Sequence, residues 1–244
     1  MVSILGGKFV IGIIGAMELE VQEIRSEMKN IHTTSILGID YDQGTIENVP
    51  CVLARCGVGK VAAAACAQTM LLEYHPQLVI NVGVAGGIGE GIQIGDLVIA
   101  QKLVQHDMDT TAAGDPPGFL SGPNLIYLET TEKVLETAVS VSSQFYSSPV
   151  HCGIIATGDQ FVADGELRKK ICRQFDAVAC EMEGGAIAQI CWNGKTDFLV
   201  LRAISDSADQ KAVMAFPVFA RMAANRMFQL LPKLLPALEG LYHS

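Results

Sequence analysis

The stretch LVINVGVAGGIGEGIQIGDLVIAQKLVQHD (78–107) decides the fold class of this chain. It begins with a nearly continuous apolar run, LVINVG (78–83), which is typical of a strand buried on both faces of a sheet. The glycine-rich segment GVAGGIGEGIQIG (83–95) is predicted to be a loop, and a second strand follows over 96–107. A strand without polar alternation needs cover on both faces, so this stretch predicts an α/β protein.

The rest of the chain alternates short apolar strands with longer helical stretches. We predict strands at 9–15, 150–159, 177–184 and 197–206, and a hairpin over 41–57 that turns near Glu47 and Asn48. Helices are predicted from the first strand to about Asn30, and over 59–75, 130–146, 167–175, 184–192 and 217–243. The pattern indicates one domain over residues 1–244, with residues 1–8 as an N-terminal extension. Its expected architecture is a three-layer α/β/α fold with a central mixed, largely parallel twisted sheet.

The net charge and the cysteines of the chain indicate which binding partners and which cellular compartment to expect. The formal net charge is −9 with only 17 Lys and Arg residues, which argues against nucleic acid or an anionic membrane as a partner. No apolar run approaches the roughly 20 residues of a membrane span. The seven cysteines form no C-x-x-C pair and sit mostly in apolar runs, which favours a reducing cytoplasm over a disulfide framework or a zinc site.

Polar residues gather where the predicted strands end. Ligands of such sheets bind beyond the carboxyl ends of the strands, so this clustering predicts an active site there. The residues in question are Met17, Glu18 and Glu20 after the first strand, Thr157, Asp159 and Phe161 after the strand at 150, Glu181 and Glu183 after 177–180, and Asp206 after 197–205.

Each of these features also has a purely structural interpretation. Glu18 suits the start of a helix, where the helix dipole favours an acid. Glu181 and Glu183 would face the same side of an extended chain, so one or both could line a cleft, but an isolated E-x-E pair is weak evidence for a site. Asp206 could be a helix N-cap, although Asp209 suits that role better, or an acid presented at a strand end. The glycine segments lack the complete spacing of a dinucleotide or phosphate-binding loop, and His106, Asp107 and Asp109 have no matching cluster for a metal.

Six blocks together resemble one family, the bacterial 5′-methylthioadenosine/S-adenosylhomocysteine nucleosidases of the nucleoside phosphorylase superfamily. They keep the order and spacing of that family from about residue 10 to 230, essentially the whole chain. The blocks are IGIIGAMELE (11–20), GVGKVAAA (57–64), NVGVAGG (81–87), ATGDQFV (156–162), CEMEGGAIA (180–188) and RAISDSAD (202–209).

The resemblance implies a nucleoside phosphorylase-like fold and a hydrolase of adenine nucleosides that needs neither cofactor nor metal. Glu20 would be the general base that activates water, Asp206 the general acid that protonates adenine, and Glu183 the group that binds the ribose hydroxyls. The remaining substrate-binding positions by resemblance are Met182 on the sugar, Arg202 beside it, Phe161 and the Val162 backbone at the base, Met17, Val58 and Phe216 around the 5′-alkylthio group, and Val84, Ala85 and Gly86 in the glycine motif. A homodimer is implied, with the loop after HDMDTT (106–111) reaching the partner's site.

The chain departs from the family pattern at several positions. Val82 and Val84 replace polar residues, and a hydroxyl at position 84 would touch the sugar or water side of the site. Gly184 and Gly185 stand where Ala or Ser with Thr is usual, which predicts a looser turn. The loop 110–123 is short, with Thr110 and Ala113 at positions that are often larger and apolar.

Three alternatives remain at this stage. One is a phosphorylase of the same superfamily, although Glu20 would repel phosphate and Val84 provides no hydroxyl to hold it. The others are a nucleosidase for another adenine nucleoside and a nucleoside-binding protein that has lost turnover.

Overall fold

The computed structural model describes residues 9–208 and 212–243, with the side chains of residues 212–218 left out of the description. Strands and helices alternate along most of the chain. The strands are β1 (Ile11–Gly15), β2 (Lys29–Ile36), β3 (Ile39–Ile46), β4 (Val49–Arg55), β5 (Leu78–Gly87), β6 (Leu97–Gln105), β7 (Leu128–Glu129), β8 (Val150–Thr157), β9 (Ala177–Glu181) and β10 (Asp197–Asp206). The helices are α1 (Glu18–Glu27), α2 (Lys60–Tyr74), α3 (Glu132–Phe145), α4 (Gly165–Phe175), α5 (Gly184–Gly194) and α6 (Ala212–Gly240).

The strands form one mixed sheet whose parallel pairings centre on β1, β5 and β10. β1 lies between β4 and β5, and β5 pairs with β10 in parallel over nearly its whole length. β5 is buried along all ten of its residues and β1 along all five, as their apolar sequences predict. The antiparallel hairpins β2–β3 and β3–β4 extend the sheet to one side.

Five of the strands close into a ring, which the sequence did not predict. β10 pairs with β6, β6 with β8, β8 with β9, β9 with β5, and β5 again with β10. In a closed ring every member strand has a neighbour on both sides, so no edge is left for pairing with another chain. The ring brings the ends of β5, β8, β9 and β10 around one opening.

Helices cover the sheet on both faces, because successive residues of a strand point to opposite sides. Leu78 and Ile80 belong to an apolar cluster with α1, α3 and α6, whereas Val79 belongs to a second cluster with α2 and α5. A third, smaller cluster holds α4 against β8 and β9. This three-layer α/β/α arrangement is the predicted one.

Most predicted elements are present, and the differences lie at their boundaries. The hairpin turn at Glu47 and Asn48 is confirmed, and both residues have positive φ, as a two-residue turn of this kind requires. The glycine segment 83–95 was predicted as a loop throughout, but β5 continues through Gly87 because β10 and β9 pair with it there.

The first helix and the last also differ from prediction. α1 ends at Glu27, not near Asn30, and residues 29–36 form β2, a strand that we did not predict. β2 is mostly exposed and rich in Thr and Ser, so it lacks the apolar signal of a buried strand. The closing helix begins at Ala212, five residues before Pro217.

Candidate active site

A cavity of about 500 Å³ opens at the carboxyl ends of β1, β5, β9 and β10. Its volume lies in the range of small-molecule sites, and its position beyond the carboxyl ends of the strands is the predicted one. Most of the lining residues are apolar, and four of them carry a carboxyl group. The lining residues are Ala16, Met17, Glu20, Val58, Val84, Ala85, Gly86, Gln160, Phe161, Val162, Cys180, Glu181, Met182, Glu183, Ser205 and Asp206.

Glu20 reaches this cavity from the first turn of α1. Its Oε2 accepts hydrogen bonds from the backbone N–H groups of Ala16 (2.8 Å) and Met17 (2.9 Å), and its Oε1 accepts one from Val84 (3.0 Å). Burial raises the pKa of Glu20 above the ordinary value, while the charge of Arg202 and the three N–H donors act in the opposite direction. The donors orient the carboxylate, and the upward shift of its pKa makes it a stronger base than an exposed glutamate.

Two glycines of the motif NVGVAGG leave the space that two acids occupy. A Cβ at Gly83 would lie 2.6 Å from Glu20 Oε1 and 2.7 Å from Arg202 Nη1. A Cβ at Gly86 would lie 3.0 Å from Asp206 Oδ1 and 2.9 Å from the Ala208 Cβ. The motif thus serves close approach of carboxyl side chains to the backbone of β5, a use of glycine distinct from phosphate binding.

Arg202 lies behind the cavity wall and holds Glu181. Its Nη2 donates to the Glu181 carboxylate and, at 2.5 Å, to the side-chain oxygen of Asn81. Glu181 also accepts hydrogen bonds from the Thr157 hydroxyl and the backbone N–H groups of residues 183 and 184. Burial alone raises the pKa of Glu181, but Arg202 and these donors outweigh it and keep that pKa below the ordinary value. Glu181 is therefore an ionised partner of a buried cation.

Glu183 is the less ionised member of this carboxylate pair. Arg202 Nη2 is 3.7 Å from its Oε2, and Oε1 accepts a hydrogen bond from the Gly59 N–H at 2.9 Å. Burial, and then the negative charge of Glu181, raise the pKa of Glu183 to about 7. Two carboxylates that share one guanidinium titrate apart in this way.

Asp206 ends β10 on the side of the cavity that Gly86 leaves open. Its Oδ1 accepts a hydrogen bond from the Ala208 N–H (2.8 Å), and Oδ2 lies 2.9 Å from the Ser205 hydroxyl. The same hydroxyl is 3.4 Å from the Ala85 carbonyl. Asp206, at the end of β10, and Glu20, in the first turn of α1, thus face a single cavity.

An apolar wall completes the cavity. Phe161 and Val162 come from the segment after β8, Met182 from the turn between β9 and α5, and Met17 and Val58 from the ends of β1 and β4. Phe161 is 48% exposed and Val58 is 56% exposed, so both lie at the mouth. Flat aromatic and flexible apolar side chains of this kind suit a planar heterocycle with an apolar substituent.

The structure brings nearly all of the predicted site residues together. Arg202 contacts the carboxylates from behind the wall, and the side chain of Phe216 lies outside the described residues. Glu181 and Glu183 both line the cavity, as the E-x-E argument predicted, but the extended chain that it assumed is wrong, because β9 ends at Glu181 and Glu183 is the N-cap of α5. Gly184 and Gly185 do not form the predicted looser turn, since they are buried residues of the first turn of α5.

Four cavity-lining residues were not predicted: Ala16, Gln160, Cys180 and Ser205. Each is adjacent to a predicted residue or lies inside a quoted block, so its nearness in sequence was the available signal. Within residues 9–208 and 212–243, no group of three or more His, Cys, Asp or Glu side chains is arranged to hold a metal ion. In the same ranges no helix has the length and apolarity needed to cross a membrane.

Comparison with known proteins gives a consistent result. A sequence profile of the phosphorylase superfamily matches residues 10–236. The 5′-methylthioadenosine/S-adenosylhomocysteine nucleosidase of Tolumonas auensis is 38% identical over 88% of this chain and 93% of its own length. The chain belongs to this nucleosidase family.

Solved structures of the family superimpose closely on this fold. The nucleosidase of Neisseria meningitidis in complex with methylthio-immucillin-A matches with a TM-score of 0.90 and 34% identity, over 93% of this chain and 99% of that one. The futalosine hydrolase of Helicobacter pylori matches with a TM-score of 0.89 and 32% identity, over 93% and 97%. The nucleosidase family therefore shares its fold with a protein named for a different nucleoside.

Proposed function

We propose that this chain hydrolyses the N-glycosidic bond of 5′-methylthioadenosine and S-adenosylhomocysteine, and of 5′-deoxyadenosine as a further candidate. The products are adenine and the 5-substituted ribose. The observation that carries the proposal is the single cavity shared by Glu20 and Asp206, whose walls are otherwise largely apolar. Membership of the nucleosidase family supports the same reaction.

Asp206 is proposed as the general acid. The adenine anion is a poor leaving group, so a proton must reach the purine as the bond to the sugar breaks. The neighbouring Ser205 hydroxyl has the Ala85 carbonyl as a second acceptor, which allows its oxygen to accept the proton of a neutral Asp206. Such a proton transfer contributes about 10²–10⁴-fold in rate.

Glu20 is proposed as the general base. Its carboxylate removes a proton from water as the water attacks the electron-poor anomeric carbon, on the face opposite the departing adenine. Two carboxyl groups in opposite protonation states divide acid and base work in the same manner in glycosidases. The three N–H donors to Glu20 support this role, because they fix the orientation of the carboxylate.

Glu183 and Met182 are proposed to bind the ribose, with Arg202 and Glu181 holding the neighbourhood from behind. Two ribose hydroxyls can donate to the Glu183 carboxylate. The positive charge that develops on the sugar favours the ionised form of Glu183, whose pKa is about 7.

The base and the 5′-substituent are assigned to the two ends of the apolar wall. Phe161 would stack on adenine and the Val162 backbone would read its edge, while Met17, Val58 and Phe216 would surround the alkylthio group. We also propose a homodimer in which the partner's loop 110–123 completes the 5′ pocket. Exposed apolar side chains at and beside the mouth, at 56% for Val58 and 82% for Val61, support such a cover.

We propose that the chain is one domain, acts in the cytoplasm and contributes to methionine salvage. Its seven cysteines are free thiols, which suits a reducing compartment. Adenine nucleosides would be its small-molecule partners.

Adenine release in rigorously phosphate-free buffer tests the reaction class. We expect release at an undiminished rate, with free 5-methylthioribose as the second product. Release only after phosphate is added, with a sugar 1-phosphate as the product, would show phosphorolysis instead. A parallel panel of nucleosides that includes futalosine tests the alternative function, a nucleosidase for another nucleoside. The structural similarity to futalosine hydrolase favours this alternative.

A further inference from the structure

A network of two aspartates and a lysine lies just outside the cavity and joins three of its supporting elements. We propose that this network, formed by Lys60, Asp107 and Asp159, is a positioning device. It fixes the sugar-binding carboxylate, Glu183, relative to the base-binding segment, residues 161–162. The inference rests on the proposed function, since it concerns the same cavity. None of the three residues lines that cavity.

Helix α2 supplies no side-chain cap for its own N-terminus. Its N-cap residue is Gly59, and its first turn contains no acidic residue. Two carboxylates distant in sequence take that place: Glu183 Oε1 accepts the Gly59 N–H at 2.9 Å, and Asp159 Oδ1 accepts the Lys60 N–H at 2.7 Å. Both carboxyl groups lie at the N-terminus of α2, the positive end of the helix dipole.

The Asp159 carboxylate depends on a glycine for its place. A Cβ at Gly59 would lie 3.0 Å from Asp159 Oδ1, closer than side chains ordinarily approach. The backbone N–H groups of two successive residues, Gly59 and Lys60, thus donate hydrogen bonds to two different acids. One of these acids is the proposed ribose ligand, and the other immediately precedes the base-binding segment.

An ion pair anchors this arrangement to the end of β6. Lys60 Nζ is 2.7 Å from Asp107 Oδ1 and 3.3 Å from Gln105 Oε1. The other Asp107 oxygen accepts the backbone N–H of Asp159 at 2.8 Å. Burial raises the pKa of Asp107, but the hydrogen bonds from Lys60 and the Asp159 N–H outweigh it and keep that pKa low, so the pair is ionised.

The contacts form a closed circuit. The Lys60 side chain holds Asp107, Asp107 holds the Asp159 backbone, and the Asp159 carboxylate returns to the Lys60 backbone. Val58, on the 5′ side of the cavity, lies two residues before Lys60, and Phe161 lies two residues after Asp159. Without the circuit, the base wall and the N–H donor to Glu183 would shift relative to each other, which weakens binding of a ligand that spans both.

The test compares Asp159→Ala with Asp159→Asn in the full chain, using 5′-methylthioadenosine as substrate. The alanine variant loses the acceptor for the Lys60 N–H, whereas the asparagine variant keeps one. We expect KM to rise about tenfold in Asp159→Ala with kcat changed less than threefold, and Asp159→Asn to recover most of the loss. A loss confined to kcat, or equal losses in both variants, would overturn the proposal.

Lys102→Met is the matched control. Lys102 forms a comparable ion pair with Glu129, 2.8 Å in length, away from the cavity. The Lys102→Met variant should keep KM and kcat within twofold of the unsubstituted chain, whereas Lys60→Met should raise KM as Asp159→Ala does. Combining Lys60→Met with Asp107→Asn should add little to either alone, because both break one circuit. Fully additive losses count against the network.

Backbone hydrogen exchange gives a readout that does not depend on catalysis. In Asp159→Ala, peptides that cover residues 57–62 and 158–163 should exchange faster than in the unsubstituted chain, with no such change in Lys102→Met. Unchanged exchange in both segments would refute the circuit even if adenine is released. If the unsubstituted chain releases no adenine while exchange changes as expected, the proposed reaction fails and the network stands.

Discussion

Replacement of Gly83 by alanine is expected to disable the proposed general base while leaving the fold intact. The added Cβ would lie 2.6 Å from Glu20 Oε1 and 2.7 Å from Arg202 Nη1, whereas ordinary contact begins near 3.4 Å. The carboxylate must therefore retreat by about 0.8 Å, against three backbone hydrogen bonds that hold it in place. Overpacking of this kind costs about 1–3 kcal/mol of stability, and a displacement near 1 Å costs about 10²-fold in rate.

Steady-state adenine release and a thermal melt together test this expectation. We expect kcat to fall about a hundredfold in Gly83→Ala, equivalent to about 2.7 kcal/mol of activation free energy, with a melting temperature lowered by several degrees. Gly165→Ala is the control, because a Cβ there meets no atom within 4 Å. If Gly83→Ala kept more than half of the kcat of the unsubstituted chain, Glu20 would not be the base that activates water.

Three further expectations concern the carboxylates. Glu20→Gln keeps the shape of the side chain but cannot take a proton, so kcat should fall below a tenth while a nucleoside analogue still binds in a calorimetric titration. Asp206→Asn should likewise lose more than nine-tenths of kcat, with the largest deficit for the least acidic leaving group in a series of substituted purines. Folding raises the pKa of Glu183 from 4.5 to about 7, so the folded chain binds that proton more tightly than the unfolded chain does. The stability that this proton contributes is complete below about pH 4.5 and is lost as pH rises through about 7. Between these pH values, the free energy of unfolding measured with urea should therefore fall more steeply in the unsubstituted chain than in Glu183→Gln. Equal slopes would contradict the raised pKa of Glu183.

The sequence predicted those parts of the fold that have a strong local signal. Nearly continuous apolar runs such as 78–83 correctly predicted buried central strands, and the Glu47–Asn48 dipeptide correctly predicted a two-residue hairpin turn. The exposed strand β2 carries no such signal, because its Thr and Ser residues pair with β3 without burying an apolar face. The ring of five strands was also beyond prediction, since its closure depends on which strands meet, and this is a property of the whole fold.

The position of the candidate site was predictable because acids and glycines cluster at the ends of the predicted strands. The side-chain relations within it were not. Nothing in the spacing of Gly83 indicates that it makes room for Glu20, 63 residues earlier, or that Glu183 accepts a hydrogen bond from Gly59 across 124 residues. The two departures at Gly184 and Gly185 show the same limit, because a residue pair that suggests looseness in sequence is tightly packed in the fold.

The closed ring of β5, β6, β8, β9 and β10 restricts how the nucleoside pocket can adapt. An open sheet can admit a bulkier ligand by letting neighbouring strands drift apart, but a hoop yields only if its hydrogen bonds break. The part of the cavity wall that carries Val84, Glu181 and Asp206 is therefore fixed in shape, and we expect tolerance for different ligands to come from the mouth of the cavity near Val58 and Phe161. On this basis, a change of specificity toward another nucleoside would alter residues at the mouth of the cavity and leave the strands of the ring unchanged.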